Sequence, residues 1–358
     1  MRTRTPTAHP VTDSALPAPL LLHRSENPWG ASPRAVEAAR AELLRVHRYP
    51  DPRYTALVDA LSTHHRVTAD RVAVGNGVDE IIMMLALALR GTGRAVVTEA
   101  TYQGYPKSLE AVGLRVTHVP LDRHRVDPAA LVEEMRKGAA LVFVCNPHNP
   151  TGSLLDADAV RSLCEAARAT GSHLVFDEAY AEYADDSFTS ALPWAREGGA
   201  VSVLRTFSKA YGLASLRVGA LIGGPDVVSR VGTVQDAMPY HVNRLAQAAA
   251  RAALEDQEFL ELTRVSTATA RTTLCSGLDR LGVTYLPSQT NFVTAHLPGS
   301  APAVTRRLLA DGIHVRDAAD MGMPGWMRIS VGTPSEVLTL VRRLEAALAP
   351  AAGQRTPR

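Results

Sequence analysis

The chain of 358 residues is 46% hydrophobic and 21% charged, with a formal net charge of +2. This composition is typical of a globular protein of about two domains and excludes a collagen-like or wholly disordered chain. The small net charge, without a long basic run, argues against a nucleic-acid partner. The longest apolar stretch, Ile81–Leu89, has about half the length of a membrane span, and residues 1–28 hold no apolar run of signal-peptide length.

Cysteine and lysine are both scarce. The cysteines are Cys145, Cys164 and Cys275. They are widely spaced and match no metal-ligand pattern, so we expect no metal site and reduced thiols in a cytoplasmic protein. The lysines are Lys107, Lys137 and Lys209. Any chemistry that needs a lysine amine therefore has only these three candidates.

Apolar strand-like runs alternate with helical patterns through the first two thirds of the chain. Residues 1–20 and 350–358 lack this periodicity and are expected to form a flexible arm and tail. The predicted strands cover residues 71–74, 94–98, 114–119, 141–145, 173–176, 201–204 and 218–222. The predicted helices begin at residue 78 and cover residues near 105–112 and 156–170. This alternation predicts an α/β fold with a doubly wound, mostly parallel sheet.

The last third of the chain has a different pattern. It predicts helical stretches over 243–277, 303–311 and 334–348 and strands at 291–295, 314–316 and 327–331. This mixture is typical of a smaller α+β domain. We therefore expect an N-terminal segment (21–44) that joins the small domain, a large domain (45–242) and the small domain itself (243–349).

Polar residues collect where the predicted strands end, which is where open α/β sheets bind ligands. The segments that follow three of the strands are 146–152, 177–180 and 205–209. The turn Gly75-Asn76-Gly77 follows another strand and opens a helix, whose N-terminal amides are able to hold a phosphate. An anion cradle, a lysine, an acid, a phenol and an amide are thus expected at neighbouring strand ends.

This set matches the chemical needs of pyridoxal phosphate. The phosphate of that cofactor needs helix-terminal amides, hydroxyls and an arginine. Its aldehyde needs a lysine for a Schiff base, and its pyridine nitrogen needs a carboxylate that keeps it protonated.

Several longer motifs carry a family resemblance. They are SENPWGASP (25–33), RYPDP (48–52), VGNGVDEII (74–82), NPHNPTG (146–152), FDEAY (176–180), RTFSKAYGLASLRVG (205–219), PYHVNRLAQAA (239–249) and MRISVGTP (327–334). Over about residues 20–348 the chain resembles the fold-type-I pyridoxal-phosphate aminotransferases, and among them the histidinol-phosphate aminotransferase group.

The resemblance implies a catalytic set of Lys209, Asp177 and Tyr180. Lys209 would form the Schiff base and move a proton as general base and acid. Asp177 would pair with the pyridine nitrogen, while Tyr180 and Asn149 would form hydrogen bonds with the phenolic oxygen of the cofactor. The other cofactor-binding residues implied are Gly77, Val78, Asp79, Tyr102, Thr206, Ser208 and Arg217.

The same resemblance implies the substrate side of the site and a partner subunit. Arg328 would clamp the substrate carboxylate, Arg316 would bind a second anion, and Asn27 would belong to a segment that closes over the substrate. Tyr49 would reach the cofactor phosphate of a neighbouring subunit. We therefore expect a homodimer acting on small-molecule amino donors and keto acceptors.

Two departures from the histidinol-phosphate group lie on this substrate side. Relatives in that group carry a tyrosine upstream of the Glu-Asn-Pro motif, but residues 11–24 contain none. Ser25 replaces an asparagine, and His23 and Arg24 precede it. A specialised amino acid as substrate is therefore an alternative to histidinol phosphate, and His23 either faces the substrate or is an ordinary loop residue.

Two alternatives to transamination stay open at this point. A lyase such as a threonine-phosphate decarboxylase, or an oxidase, carries much the same motifs, and release of carbon dioxide or uptake of oxygen would identify it. A non-catalytic cofactor-binding module is the other alternative. An amino donor that bleaches the yellow colour of the protein would exclude it.

Overall fold

The computed structural model describes residues 19–349. Its strands are β1 (Leu20–Leu21), β2 (Val72–Gly75), β3 (Arg94–Thr98), β4 (Val116–Val119), β5 (Ala139–Cys145), β6 (His173–Asp177), β7 (Val201–Thr206), β8 (Gly219–Ile222), β9 (Tyr285–Leu286), β10 (Phe292–His296), β11 (Ile313–His314), β12 (Arg316–Asp317) and β13 (Trp326–Ser330). Most of the predicted arm and all of the predicted tail lie outside the described residues.

Helices connect these strands. They are α1 (Pro33–Leu43), α2 (Thr55–His65), α3 (Val78–Ala88), α4 (Gly104–Ala111), α5 (Pro128–Arg136), α6 (Ala157–Thr170), α7 (Leu192–Glu197), α8 (Pro225–Asp236), α9 (Arg244–Glu255), α10 (Gln257–Arg280), α11 (Ala301–Ala310) and α12 (Pro334–Leu348). Short 3₁₀ turns cover Ala69–Arg71, Ala181–Tyr183, Ala214–Leu216 and Ala318–Met321. Within residues 19–349, none of the helices is long and apolar enough to cross a membrane.

The large sheet has the strand order β2-β8-β7-β6-β5-β3-β4. The neighbouring pairs from β7 to β4 are parallel, and β8 runs antiparallel to both β2 and β7. Strand β5 is almost entirely buried, in agreement with its continuous apolar sequence. The mostly parallel sheet predicted from the sequence is therefore confirmed.

Helices cover both faces of this sheet. One apolar cluster joins the sheet to α2, α5, α6, α7 and α9, and another joins its opposite face to α3, α4 and α8. Helix α6 shows why such helices form: Val160, Leu163, Cys164 and Ala167 make one buried stripe. The Asp156 side chain caps the first turn of this helix, and Gly171 ends the helix in the left-handed conformation.

A second, antiparallel sheet has the order β12-β13-β10-β9 and packs with α10, α11 and α12. Strand β1 pairs with β11, so the N-terminal segment joins this layer. The helical stretch predicted over 243–277 is two helices, because Asp256 ends α9 and its side chain caps α10. Helix α9 packs on the large sheet and α10 on the small one, and the domain boundaries themselves stay predictions.

Gly212 allows two turns to approach each other closely. Its φ is +70°, and a Cβ atom there would overlap the carbonyl group of Gly30. The amide of Gly212 donates to the carbonyl of Lys209 at 2.9 Å, so this contact fixes the turn that carries the lysine. Only glycine combines this backbone conformation with this approach.

Replacing Gly212 with alanine is expected to lower the free energy of unfolding by about 3 kcal/mol, because a steric overlap adds to the left-handed backbone. Gly171→Ala is the matched control, since its φ is +73° but the space around it is open. The control is expected to cost about 1 kcal/mol. Urea unfolding of both variants measures the difference, and equal losses would contradict the close contact.

Candidate active site

The ends of β5, β6 and β7 converge on one cavity. Cys145 pairs with Asp177, and Asp177 pairs with Leu204, so these strands end at the same level. The cavity has a volume of about 250 Å³. The predicted site residues that line it are Val78, Asp79, Tyr102, Asn149, Asp177, Tyr180, Thr206, Ser208, Lys209, Arg217, Arg316 and Arg328. Gly77, the residue before Val78, is not among the lining residues, and neither are Asn27 and Tyr49.

One end of the cavity is built to hold an anion. Gly77 has a φ of +83° and precedes α3 without a side-chain cap, so the first amides of that helix are open. The Arg217 guanidinium donates to Ser208 Oγ at 3.2 Å and pairs with Asp79 at 2.8 Å. The Ser208 amide donates to Thr206 Oγ1 at 3.1 Å. Open amides, hydroxyls and an arginine are the donors that a phosphate group needs.

Lys209 lies in the turn after β7, and its amine faces the cavity. Nζ donates to the Arg24 carbonyl at 3.0 Å and lies 5.8 Å from the centre of the Tyr180 ring. Burial, together with the positive charges of Arg328 and Arg217, lowers the pKa of Lys209 to about 8. An amine with this pKa is partly neutral near neutral pH and is therefore a nucleophile and a base.

Asp177 is the last residue of β6 and Tyr180 lies three residues beyond it, and both are buried. Burial raises the pKa of the Asp177 carboxyl to about 6, although a hydrogen bond from Tyr105 opposes this effect. Burial also raises the pKa of Tyr180 to about 12, so its phenol stays protonated. The Tyr180 ring packs edge-on against Phe292, with 5.3 Å between the ring centres.

Arg328, on β13, faces the cavity from the small sheet and is only 4% exposed. Its guanidinium donates to Asn149 Oδ1 at 2.6 Å and to the His23 carbonyl at 3.0 Å. It also lies 4.9 Å from the centre of the Phe292 ring. Within residues 19–349 its hydrogen-bond partners are thus neutral, and its Nε has none.

The segment 23–27 crosses the mouth of the cavity. The Ser25 amide donates to Ser330 Oγ at 2.8 Å, and Asn291 donates to the Ser25 and Glu26 carbonyls. Asn27 donates to the carbonyl of Ala210, the residue after Lys209, at 3.0 Å. The predicted substrate residue Asn27 therefore braces the lysine turn.

Arg24 and Arg316 complete the mouth. Arg316 pairs with Asp320 at 2.7 Å, and both arginines line the cavity. Sequence reasoning noted Arg24 only as a departure from the family pattern and assigned it no place in the site.

The two remaining predicted tyrosines lie in different environments. Tyr102 lines the cavity, its hydroxyl donates to Asp79, and its ring is edge-on to Tyr105. Tyr49 is 78% exposed and stacks on Tyr240, with 4.6 Å between the ring centres. Tyr49 is thus outside the cavity of its own subunit.

The sequence analysis assigned no role to Tyr105 and Arg205, which contact residues at the end of β6 from outside the cavity. Tyr105 donates to Asp177 and is fully buried, and its only sequence signal is its position three residues after Tyr102. Arg205 forms ion pairs with Glu178 at 2.9 Å and Glu182 at 3.0 Å under the end of β6. Among residues 19–349, no group of His, Cys, Asp and Glu side chains is arranged to hold a metal ion.

Comparison with known proteins agrees with this geometry. The family model "Aminotransferase class I and II" matches residues 19–344. The chain belongs to this family. It is 38% identical over 328 residues to the histidinol-phosphate aminotransferase of Symbiobacterium thermophilum, covering 91% of this chain and 90% of that one. It is also 38% identical over 317 residues to histidinol-phosphate aminotransferase 2 of Pseudomonas aeruginosa, covering 88% and 85%.

Solved structures give the same assignment. The histidinol-phosphate aminotransferase of Sinorhizobium meliloti in complex with pyridoxal-5'-phosphate superimposes with a TM-score of 0.85 at 29% identity, covering 92% of this chain and 90% of that one. The aspartate aminotransferase of Thermus thermophilus with maleate shares the fold, with a TM-score of 0.83 at 23% identity and 92% coverage of both chains.

These findings confirm the predicted family, the α/β fold, pyridoxal phosphate as the cofactor and amino transfer as the activity. The donor set of the cavity fits that cofactor. The cavity of the aminotransferase brings together the open amides of α3, the Arg217 guanidinium, the Lys209 amine and the buried Asp177 carboxylate.

The lowered pKa of Lys209 predicts selective labelling of the cofactor-free aminotransferase. Neutral amines react with acetic anhydride, so Lys209 is expected to gain reactivity around pH 8. Lys137 is the internal control, because Glu134 raises its pKa above the usual value and delays its reaction to higher pH. Peptide mass spectrometry after brief labelling at a series of pH values measures both, and coinciding profiles would contradict the prediction.

Proposed function

We propose that the predicted residues bind the cofactor in the arrangement that the cavity offers. The phosphate would be held by Thr206, Ser208 and Arg217 and by the backbone amides of Gly77, Val78 and Asp79. The open N-terminus of α3 and the Arg217–Ser208 hydrogen bond support this placement. Bound pyridoxal phosphate supplies an aldehyde that reacts with amines and a ring that accepts electrons.

Asp177 would face the ring nitrogen of the cofactor, and its buried negative charge would keep that nitrogen protonated. Tyr102 would stack on the ring, and Asn149 and Tyr180 would donate to its phenolic oxygen. The positions of Asp177, Tyr180 and Asn149 support these roles, because all three lie at or just after the ends of β5 and β6 and line the cavity. Lys209 would then take the proton from the Cα atom of the substrate as a base and deliver it to the C4′ carbon of the cofactor as an acid, and its lowered pKa supports this role.

The substrate would carry an anionic group next to the reacting amine. Arg328 carries this proposal, because it is a buried cation that opens into the cavity with only neutral partners among the described residues. A bidentate carboxylate or phosphate would supply the missing charge. Arg24 and Arg316 add positive charge at the same mouth.

We therefore propose histidinol phosphate as the substrate and a dicarboxylic amino acid such as glutamate as the donor. The relatives named above support the first choice. Arg24 supports it as well, because this arginine lines the cavity and would supply the phosphate contact that a tyrosine upstream of residue 25 would otherwise provide.

Single-turnover spectra of the loaded enzyme test this substrate. Histidinol phosphate and glutamate are expected to bleach the visible absorbance, whereas histidinol, which lacks the phosphate, is expected to react at least about 100-fold less efficiently. Arg328→Lys keeps the positive charge but loses the planar guanidinium, which binds an anion through two parallel hydrogen bonds. The kcat/KM for histidinol phosphate is therefore expected to fall by about 10- to 100-fold. If only another amino acid bleached the absorbance, that amino acid would take the place of histidinol phosphate as the proposed substrate. Release of carbon dioxide would indicate a lyase.

We further propose a homodimer in which Tyr49 completes the site of the partner subunit. An exposed apolar surface supports this arrangement. It consists of Leu43, Leu44, Val46, Tyr49 and Tyr240. Because Tyr49 is outside the cavity of its own chain, a contribution to catalysis requires a second copy.

Mixing two inactive variants tests the shared site. Tyr49→Ala lacks the donated phenol and Lys209→Ala lacks the amine, so each homodimer is expected to lose activity. A mixed dimer contains one site with both residues intact, and its formation after co-refolding is expected to restore up to about half of the wild-type activity per dimer. No recovery, with mixed dimers demonstrated by mass spectrometry, would contradict the shared site.

A further inference from the structure

Tyr105 is the side chain that contacts the Asp177 carboxylate most directly. Its hydroxyl donates to Asp177 Oδ2 at 2.5 Å, while the Ala179 amide donates to Oδ1 at 3.1 Å. One hydrogen bond thus reaches each oxygen, and together they fix the plane of the carboxylate at the floor of the cavity. Only one of these two donors is a side chain.

Packing leaves the Tyr105 phenol little freedom to move. The residue lies in the first turn of α4 and is 0% exposed. Its ring stacks on Phe143 of β5, with 5.0 Å between the centres and 11° between the planes, and it meets Tyr102 edge-on. A helix and a strand therefore hold the hydroxyl at a fixed distance from β6.

The electrostatic surroundings of Asp177 make this hydroxyl important. Burial raises the pKa of Asp177 to about 6, and the Asp79 and Glu178 carboxylates act in the same direction. The Tyr105 hydrogen bond lowers that pKa, because it stabilises the ionised form. The other titratable groups that interact with Asp177 are Cys145, Tyr102 and Tyr180.

A neutral donor has a specific advantage at this position. A lysine or arginine would also ionise Asp177, but its charge would cancel the field that a protonated pyridine nitrogen needs. The Tyr105 hydroxyl stabilises the carboxylate and leaves its full negative charge available. Burial also raises the pKa of Tyr105 well above its ordinary value, so the phenol stays a donor.

We propose that Tyr105 is a positioning residue that keeps Asp177 ionised and aimed into the cavity as the partner of the cofactor ring. The proposal rests on the role given to Asp177 in the proposed function. Tyr105 is not among the residues that line the cavity, so its hydroxyl acts through the Asp177 carboxylate.

Tyr105→Phe is the test variant, because it keeps the ring stacking and removes only the donor. The dissociation constant for pyridoxal phosphate is expected to rise by about 10- to 100-fold at pH 7, as for the loss of a hydrogen bond to a charged group. Affinity for the cofactor is expected to fall at low pH, where Asp177 becomes protonated, and this fall is the acidic limb of the binding profile. Because the variant would raise the pKa of Asp177, the acidic limb is expected to move upward by about one pH unit. Equilibrium dialysis at a series of pH values measures both.

Tyr183→Phe is the matched control. Tyr183 is also buried, but its hydroxyl accepts from Asn291 at 3.4 Å and does not contact Asp177. The control is expected to keep the acidic limb of the wild type. An unchanged limb in Tyr105→Phe, or the same shift in both variants, would overturn the inference.

Combining Tyr105→Phe with Asp177→Asn separates this inference from the proposed function. If Tyr105 acts through the charge of Asp177, the added loss of cofactor affinity in the Asp177→Asn background falls to that of the control. A loss as large as in the wild-type background would overturn the inference alone. Wild-type affinity and activity of Asp177→Asn would instead overturn the role of Asp177 in the proposed function.

Discussion

The alignment of three parallel strands is the constraint on which the active site depends. Strands β5, β6 and β7 end side by side, and their register places Cys145, Asp177 and Leu204 at one level. Close packing against different helices on the two faces fixes that register, because a slip of one residue would exchange the side chains that fit each face. The same burial that stabilises the sheet therefore removes water from Asp177 and changes its protonation chemistry.

Much of this arrangement was predictable from the sequence. Strand β3 and helix α12 have the predicted bounds, and the segments after β5, β6 and β7 supply the expected polar side chains. These features are local, since each depends on an apolar run and on the residues that directly follow it. Helices α1, α5 and α8 were not predicted, because their apolar stripes are short.

The remainder of the site depends on contacts between distant parts of the chain. The Tyr105–Asp177 hydrogen bond joins α4 to β6, and no spacing rule links residues 72 positions apart. Arg24 reaches the cavity because its segment follows β1, which pairs with β11 in the last part of the chain. Similarly, the exposure of Tyr49 becomes meaningful only once the cavity is known to lie elsewhere on the subunit.

The segment 23–27 also determines when the cavity can be completed during synthesis. It is the first part of the site to leave the ribosome, whereas Arg328 and Ser330, which hold it, are among the last. The large sheet has all of its strands by residue 222, well before these partners exist. A nascent chain therefore carries the ends of β5, β6 and β7 without their cover, and the part of the cavity that Arg24 and Arg328 line forms only after translation is nearly complete.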